Sequence, residues 1–137
     1  MKAHLTRRYM FSASHRLHSD EMSAGQNQAV YGKCNNPHGH GHNYVVEVSL
    51  QGEPDPVTGM VLDLKELKEV LNREVIEVLD HRHLNKEVPE FFTQIPTTEN
   101  LAIAIWNRLQ GKLHVAQLHR VRVYELPDLF VDFYGEP

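Results

Sequence analysis

Hydrophobic periodicity changes twice along this chain, and the order of the changes excludes most folds. From Ala3 to Ser14 the period is near two. Leu5, Arg7, Tyr9, Phe11 and Ala13 share one parity, and His15 extends the series. Met10 interrupts the opposite, polar face. From His42 to Gln51 the alternation is cleaner, with His42, Tyr44, Val46, Val48 and Leu50 on one side. The period then lengthens. Leu64, Leu67, Leu71, Val75 and Val78 form a helical stripe over Asp63 to Leu79, with Asp63 as N-cap and Glu66 completing a capping-box pattern. Thr97 or Thr98 caps a second helix that runs to about Gln110 and stops at Gly111. Period two returns over Leu118 to Leu126 and Leu129 to Tyr134, on either side of Pro127-Asp128.

Two intervals carry weaker signals. Leu17 to Asn36 is rich in Ser, Gly, Gln and Asn, and reads as a long loop with room for a short helical turn. Met60, Val61 and Leu62 follow a Pro- and Gly-rich turn and suggest a brief return strand. Strands do not alternate regularly with helices. The expected class is therefore α+β: an antiparallel sheet with helices on one face, the other face remaining for an oligomer interface or a ligand.

At 137 residues the chain is read as one domain, 1–137, large enough to bury a core without disulfides. A formal net charge of -4 gives no global electrostatic case for nucleic acid or an anionic membrane. A single cysteine excludes an internal disulfide framework and points to a reducing compartment. The N-terminus lacks the apolar run of a signal peptide, and no segment approaches the roughly 18 apolar residues of a membrane span. The expected location is cytoplasmic.

Chemistry-bearing residues concentrate in Cys34-Asn35-Asn36-Pro37-His38-Gly39-His40-Gly41-His42. Thiols and imidazoles are good ligands for a borderline-soft ion such as Zn2+. On extended backbone His40 and His42 point to the same side, and Gly39 and Gly41 keep the space between them clear. His15, on the regular parity of the first strand, is the leading third donor. Three imidazoles with an open fourth position describe a catalytic zinc site; Cys34 as fourth ligand would describe a closed one. His-x-His alone is a weak signal, and His38 also lies within reach. Cys34, beside Lys33 in a polar loop, has a poor context for a core residue and a better one for a reactive thiol. Asp80-His81 is a polar helix exit, or a pair in which Asp80 supports a proton-exchanging His81. Thr97-Thr98-Glu99 is sufficiently explained as a helix cap, and Glu125 as a strand-end charge.

Several segments together resemble the 6-pyruvoyl-tetrahydropterin synthase family, which shares most of its pattern with the 6-carboxy-tetrahydropterin synthases of queuosine biosynthesis. They are Phe11-Ser12-Ala13-Ser14-His15-Arg16-Leu17, Tyr31 to Tyr44, Leu79-Asp80-His81, Pro96 to Ala102 and Val123-Tyr124-Glu125, in order from about Arg8 to Glu136. The resemblance implies a tunnelling fold: a four-stranded antiparallel sheet with two antiparallel helices on one face. Such subunits close a barrel as trimers, and two trimers stack into a homohexamer with sites between subunits. His15, His40 and His42 match the zinc ligands, and His38 is left out of that set. Cys34 matches the catalytic cysteine, with Asp80 and His81 as its proton-transfer partners. Glu125 matches the carboxylate that anchors the pterin, and Thr97, Thr98 and Glu99 a substrate-contacting stretch.

The implied activity is a zinc-dependent lyase acting on 7,8-dihydroneopterin triphosphate and giving 6-pyruvoyl-tetrahydropterin. The Leu17 to Asn36 insertion and the run Gly32 to Pro37 favour this branch over the 6-carboxy-forming one. A non-catalytic pterin- or zinc-binding module is a third reading, disfavoured by the presence of Cys34, Asp80 and His81 together.

Overall fold

The computed structural model describes residues 1–114 and 116–136. A five-stranded sheet in the order β3-β1-β2-β4-β5 forms its centre. Strands β1 (Ala3–His15) and β2 (His40–Gly52) pair antiparallel along their whole length, from Ala3 opposite Gly52 to His15 opposite His40. Strand β4 (Gln117–Leu126) adds antiparallel to β2, with a register shift at Ser49/Leu50, and β5 (Leu129–Phe133) adds antiparallel to β4. The period-two parities place Phe11, Tyr44, Val46, Val48, Leu50, Val121 and Val123 on one face, all fully buried.

Two helical segments cover that face. The first begins as α2 (Leu64–Leu71), passes through a π turn (Asn72–Ile76) and ends as α3 (Glu77–Leu79). Four of its buried residues, Leu67, Leu71, Val75 and Leu79, recur every four positions, with Val70 buried beside them. That spacing overshoots the 3.6 residues of an α turn, and the wider π turn takes up the excess so that all four stay on the core. Asp63 caps the segment by accepting the Lys65 N–H. Leu64, assigned to the stripe by spacing, is instead half exposed in the first turn. The second segment, α5 (Thr98–Leu109), presents Leu101, Ile105 and Leu109 to the sheet. Thr97 is its cap, accepting the Asn100 N–H, and Gly111 follows with φ +80°. Each buried leucine stabilises the fold by about 1.5–3 kcal/mol relative to exposure.

Three expectations need correction. The sheet has five strands and is mixed, not four-stranded and antiparallel. The extra strand β3 (Arg82–His83) runs parallel to Ala13–Ser14 of β1, and two residues are too few to show a period. The interval 17–36, expected as a long loop with room for a short helical turn, holds more helix than that: the eight-residue α1 (Ala24–Tyr31) and a 3-10 turn (Gly32–Asn35). Ser23 and Gln26 form a reciprocal capping box at its start, a Ser-x-x-Gln pattern present in the sequence. Nearly all of α1 is exposed. It is held by buried Asn27, whose amide accepts from Ser19 N–H and donates to Ser19 C=O. Met60 to Leu62 forms no return strand. Asp55 N–H bonds the Met60 carbonyl, which closes the loop on itself and sends Leu62 into the core.

Among the described residues no helix packs on the second sheet face opposite the core. Paired charges occupy it instead. Arg120 donates to Glu47, and Arg122 forms a two-pronged bond to Asp132 at 2.7 and 2.9 Å while lying over the Phe130 ring. The short α4 (Leu84–Glu87) follows β3, and a 3-10 turn (Pro89–Phe92) leads from it toward α5.

Candidate active site

The β1–β2 register brings the histidines together. His15 ends β1 directly opposite His40, which begins β2, and His42 lies two residues further on the same face. One nitrogen from each ring lies within 4.8 Å of the others, and the Nε2 atoms of His15 and His40 are 3.1 Å apart. His15 is wholly buried, and its Nδ1–H donates to the Pro96 carbonyl at 2.8 Å, leaving the Nε2 lone pair turned toward the other two rings. Burial pushes the His15 pKa down to about 4, reinforced by His40 and His42 and opposed by the Pro96 carbonyl. Burial also lowers the pKa of His40, with His42 adding to the effect. Neutral imidazoles are the form that binds a metal. Nε2 of His42 is buried and has no hydrogen-bond partner among the described residues. An orphaned nitrogen in a three-imidazole cluster is the arrangement a tetrahedral Zn2+ with an open position requires.

Glu125, near the end of β4, approaches this cluster. Its Oε1 lies 3.3 Å from His42 Nε2 and 3.8 Å from His15 Nε2. Cys34 sits half-buried in the 3-10 turn and is not one of the clustered donors. That turn is fastened to the residues after His15. Leu17 N–H donates to the Cys34 carbonyl, Arg16 Nε to the Asn35 carbonyl, and the Asn35 amide to the Leu17 carbonyl. Tyr44, under the triad, has its phenol pKa pushed up by burial, with Glu125 and Cys34 adding negative charge nearby.

Asp80 and His81 leave α3 along the outer edge of β1. Asp80 Oδ1 accepts the Ser12 N–H at 2.9 Å, and His81 N–H donates to the Ser12 carbonyl at 2.6 Å. Although adjacent, the two side chains do meet: His81 Nδ1 lies 3.0 Å from Asp80 Oδ2. The Ser12 N–H, and then His81, hold the Asp80 carboxyl below its ordinary pKa. His81 adopts φ +62°, a left-handed conformation unusual for a residue with a side chain, and its ring is exposed. It lines a cavity of about 520 Å³ together with Ser12, His42, Asn43 and His83. Among the described residues no hydrogen bond or ion pair joins Cys34 to Asp80 or His81. Thr97 is engaged as the α5 cap, Thr98 is buried and Glu99 is exposed in the first turn. This stretch is tied to the triad through the carbonyl of Pro96, the residue before it.

Residues 4–136 match the family described as 6-pyruvoyl tetrahydropterin synthase. The chain belongs to that family. The human 6-pyruvoyl tetrahydrobiopterin synthase is 47% identical over 98% of this chain and 93% of its own length. The solved structure of the Caenorhabditis elegans 6-pyruvoyl tetrahydropterin synthase superposes with a TM-score of 0.94 at 41% identity, covering 99% of this chain and 97% of that one. An Archaeoglobus fulgidus protein provisionally named 6-carboxy-5,6,7,8-tetrahydropterin synthase is 35% identical over 83% of this chain and 90% of its own length.

Sequence reasoning missed four contributors to this synthase-family site. Pro96 supplies the carbonyl for His15, Asn35 fastens the cysteine turn, and Tyr44 reaches His15 from below. His83 lies beside Gly39, its Nδ1 buried without a partner among the described residues. Only Tyr44 had a visible signal, its shared parity with His42. The other contacts join residues far apart in the chain.

Proposed function

We propose that this chain is a zinc-dependent lyase converting 7,8-dihydroneopterin triphosphate to 6-pyruvoyl-tetrahydropterin with loss of triphosphate. The observation that carries the reading is the convergence of three imidazoles with an orphaned nitrogen, in a chain of this family. Zn2+ held by His15, His40 and His42 would supply Lewis acidity at the oxygens of the substrate side chain, weakening the adjacent C–H bond. Cys34 accepts the carbon-bound proton. Asp80 keeps His81 oriented, and His81 returns a proton elsewhere on the side chain. Glu125 binds the amino-pyrimidine edge of the pterin, and Thr97, Thr98 and Glu99 line the approach. Loss of triphosphate and internal redistribution of electrons yield the diketo side chain without an external oxidant.

The working form is a homohexamer built from two trimers, located in the cytoplasm. Two features support an assembly. Among the described residues the outer edge of β1 has strand pairing only at Ala13 and Ser14, and the paired charges on the second sheet face suit a barrel interior. A partner subunit would also bring Asp80-His81 to Cys34, which they do not meet within one chain. No helix among the described residues is long and apolar enough to cross a membrane.

Incubation with dihydroneopterin triphosphate, followed by mass analysis of the product, tests the reaction. A 6-carboxy product with acetaldehyde release overturns it in favour of the queuosine-type enzyme. Zinc analysis should find about one ion per chain. Cys34→Ala should abolish turnover while retaining zinc; His40→Ala should lose both.

A further inference from the structure

Tyr44 is enclosed completely. Its ring stacks on Phe11 with centroids 5.2 Å apart, and it faces His42 and His15 edge-on at 5.6 and 6.2 Å. Among the described residues its hydroxyl has one hydrogen-bond partner, Nδ1 of His15, at 3.2 Å. The same nitrogen lies 2.8 Å from the Pro96 carbonyl. A carbonyl oxygen only accepts, so the proton must be on Nδ1, and the phenol oxygen takes a second share of that N–H.

We propose that Tyr44 is a positioning residue that, with the Pro96 carbonyl, locks His15 in the orientation and tautomer that present a bare Nε2 to the metal. The inference rests on the zinc reading above. The carbonyl alone selects the tautomer. It leaves the ring free to tilt about a single hydrogen bond. A second acceptor approaching the same N–H from another direction defines the ring plane, and hence the direction of the Nε2 lone pair. Tyr44 is suited to this because it follows His42 by two residues on one strand face, so its ring is carried by the same backbone as a second donor. A phenylalanine would fill almost the same space. The oxygen is therefore the informative atom: packing against Phe11 does not need it.

The test uses the full chain and Tyr44→Phe. Zinc affinity is measured by competition with a chromophoric chelator, and the visible spectrum of the cobalt-loaded protein reports donor geometry. Loss of an outer partner of a metal-bound histidine typically weakens binding about 10–100-fold. The expected result is about 10-fold weaker zinc binding with a shifted cobalt spectrum. Zinc affinity within about twofold of wild type overturns the proposal and leaves the hydroxyl a stability element only. Wild-type protein that binds no zinc refutes the metal reading itself, and the proposal with it. Should Tyr44→Phe fail to fold, the full chain carrying 3-fluorotyrosine decides: the altered phenol oxygen should shift the His15 Nδ1–H proton resonance, and an unmoved resonance refutes the second hydrogen bond.

Discussion

Alanine at Gly39 should do two separable kinds of damage, and Gly59 supplies the control. The two glycines share a backbone conformation, φ +76° and +74°. Their surroundings differ. A Cβ at Gly59 would meet nothing within 4 Å. A Cβ at Gly39 would lie 3.0 Å from the His15 carbonyl oxygen and 3.1 Å from His83 Nε2. The left-handed conformation costs an L-residue about 1–2 kcal/mol, partly offset by the stiffer unfolded chain of alanine, worth about 0.4–1 kcal/mol. Gly59→Ala should therefore destabilise by about 1 kcal/mol, or about 3–5 °C for a domain of this size. Gly39→Ala adds overpacking of about 1–3 kcal/mol, because the His83 ring can rotate away but the His15 carbonyl belongs to the paired end of β1. The total is about 2–4 kcal/mol. The second kind of damage is functional: displacing the His15 and His40 backbones should weaken zinc binding about 10-fold, whereas Gly59→Ala should leave it unchanged. Thermal unfolding of the metal-free proteins and zinc competition read the two effects separately. Equal losses of Tm, or unaltered zinc affinity in Gly39→Ala, would refute the reasoning.

Metal-free protein should lose stability as pH falls from about 6.5 to about 4. In that window the unfolded chain protonates His15 and the folded chain does not, so stability rises with pH; the contribution is complete above the upper value and gone below the lower one. The span corresponds to about 3 kcal/mol, and denaturant titrations should show the slope flattening in His15→Gln. Asp80→Asn should reduce turnover while leaving zinc content intact, since Asp80 contacts Ser12 and His81 but no clustered donor; loss of zinc from this variant would contradict the assignment. Ser23→Ala removes half of a capping box, which costs about 1 kcal/mol locally. Because α1 is almost entirely exposed, hydrogen exchange within it should accelerate while global Tm moves little.

The parts of this structure that could be read from the sequence are those with a period. Strands β1, β2, β4 and β5 show their buried faces two residues at a time, and the long helices show theirs at helical spacing. The three imidazoles were accessible for the same reason. Parity places His15, His40 and His42 on buried faces, and only the pairing register had to be supplied. What stayed hidden has no period. Strand β3 is two residues long. The π turn is invisible because its four-residue spacing resembles a helix until the phase is followed to Leu79. Helix α1 buries no apolar stripe, so that pattern could not reveal it, although Ser23 and Gln26 could have. The contacts of Pro96 and Tyr44 with His15 depend on tertiary closure.

Ser12 has a consequence for how far another chain could extend this sheet. Its N–H and C=O, the outward hydrogen-bonding groups of β1 at that point, are taken by Asp80 and His81. Arg82 and His83 then occupy the edge opposite Ala13 and Ser14. A strand from a neighbouring molecule zipping along β1 from Ala3 must therefore stop before Ser12. The helix exit acts as a terminator of intermolecular pairing, and it keeps the exposed His81 ring at the rim of any such seam.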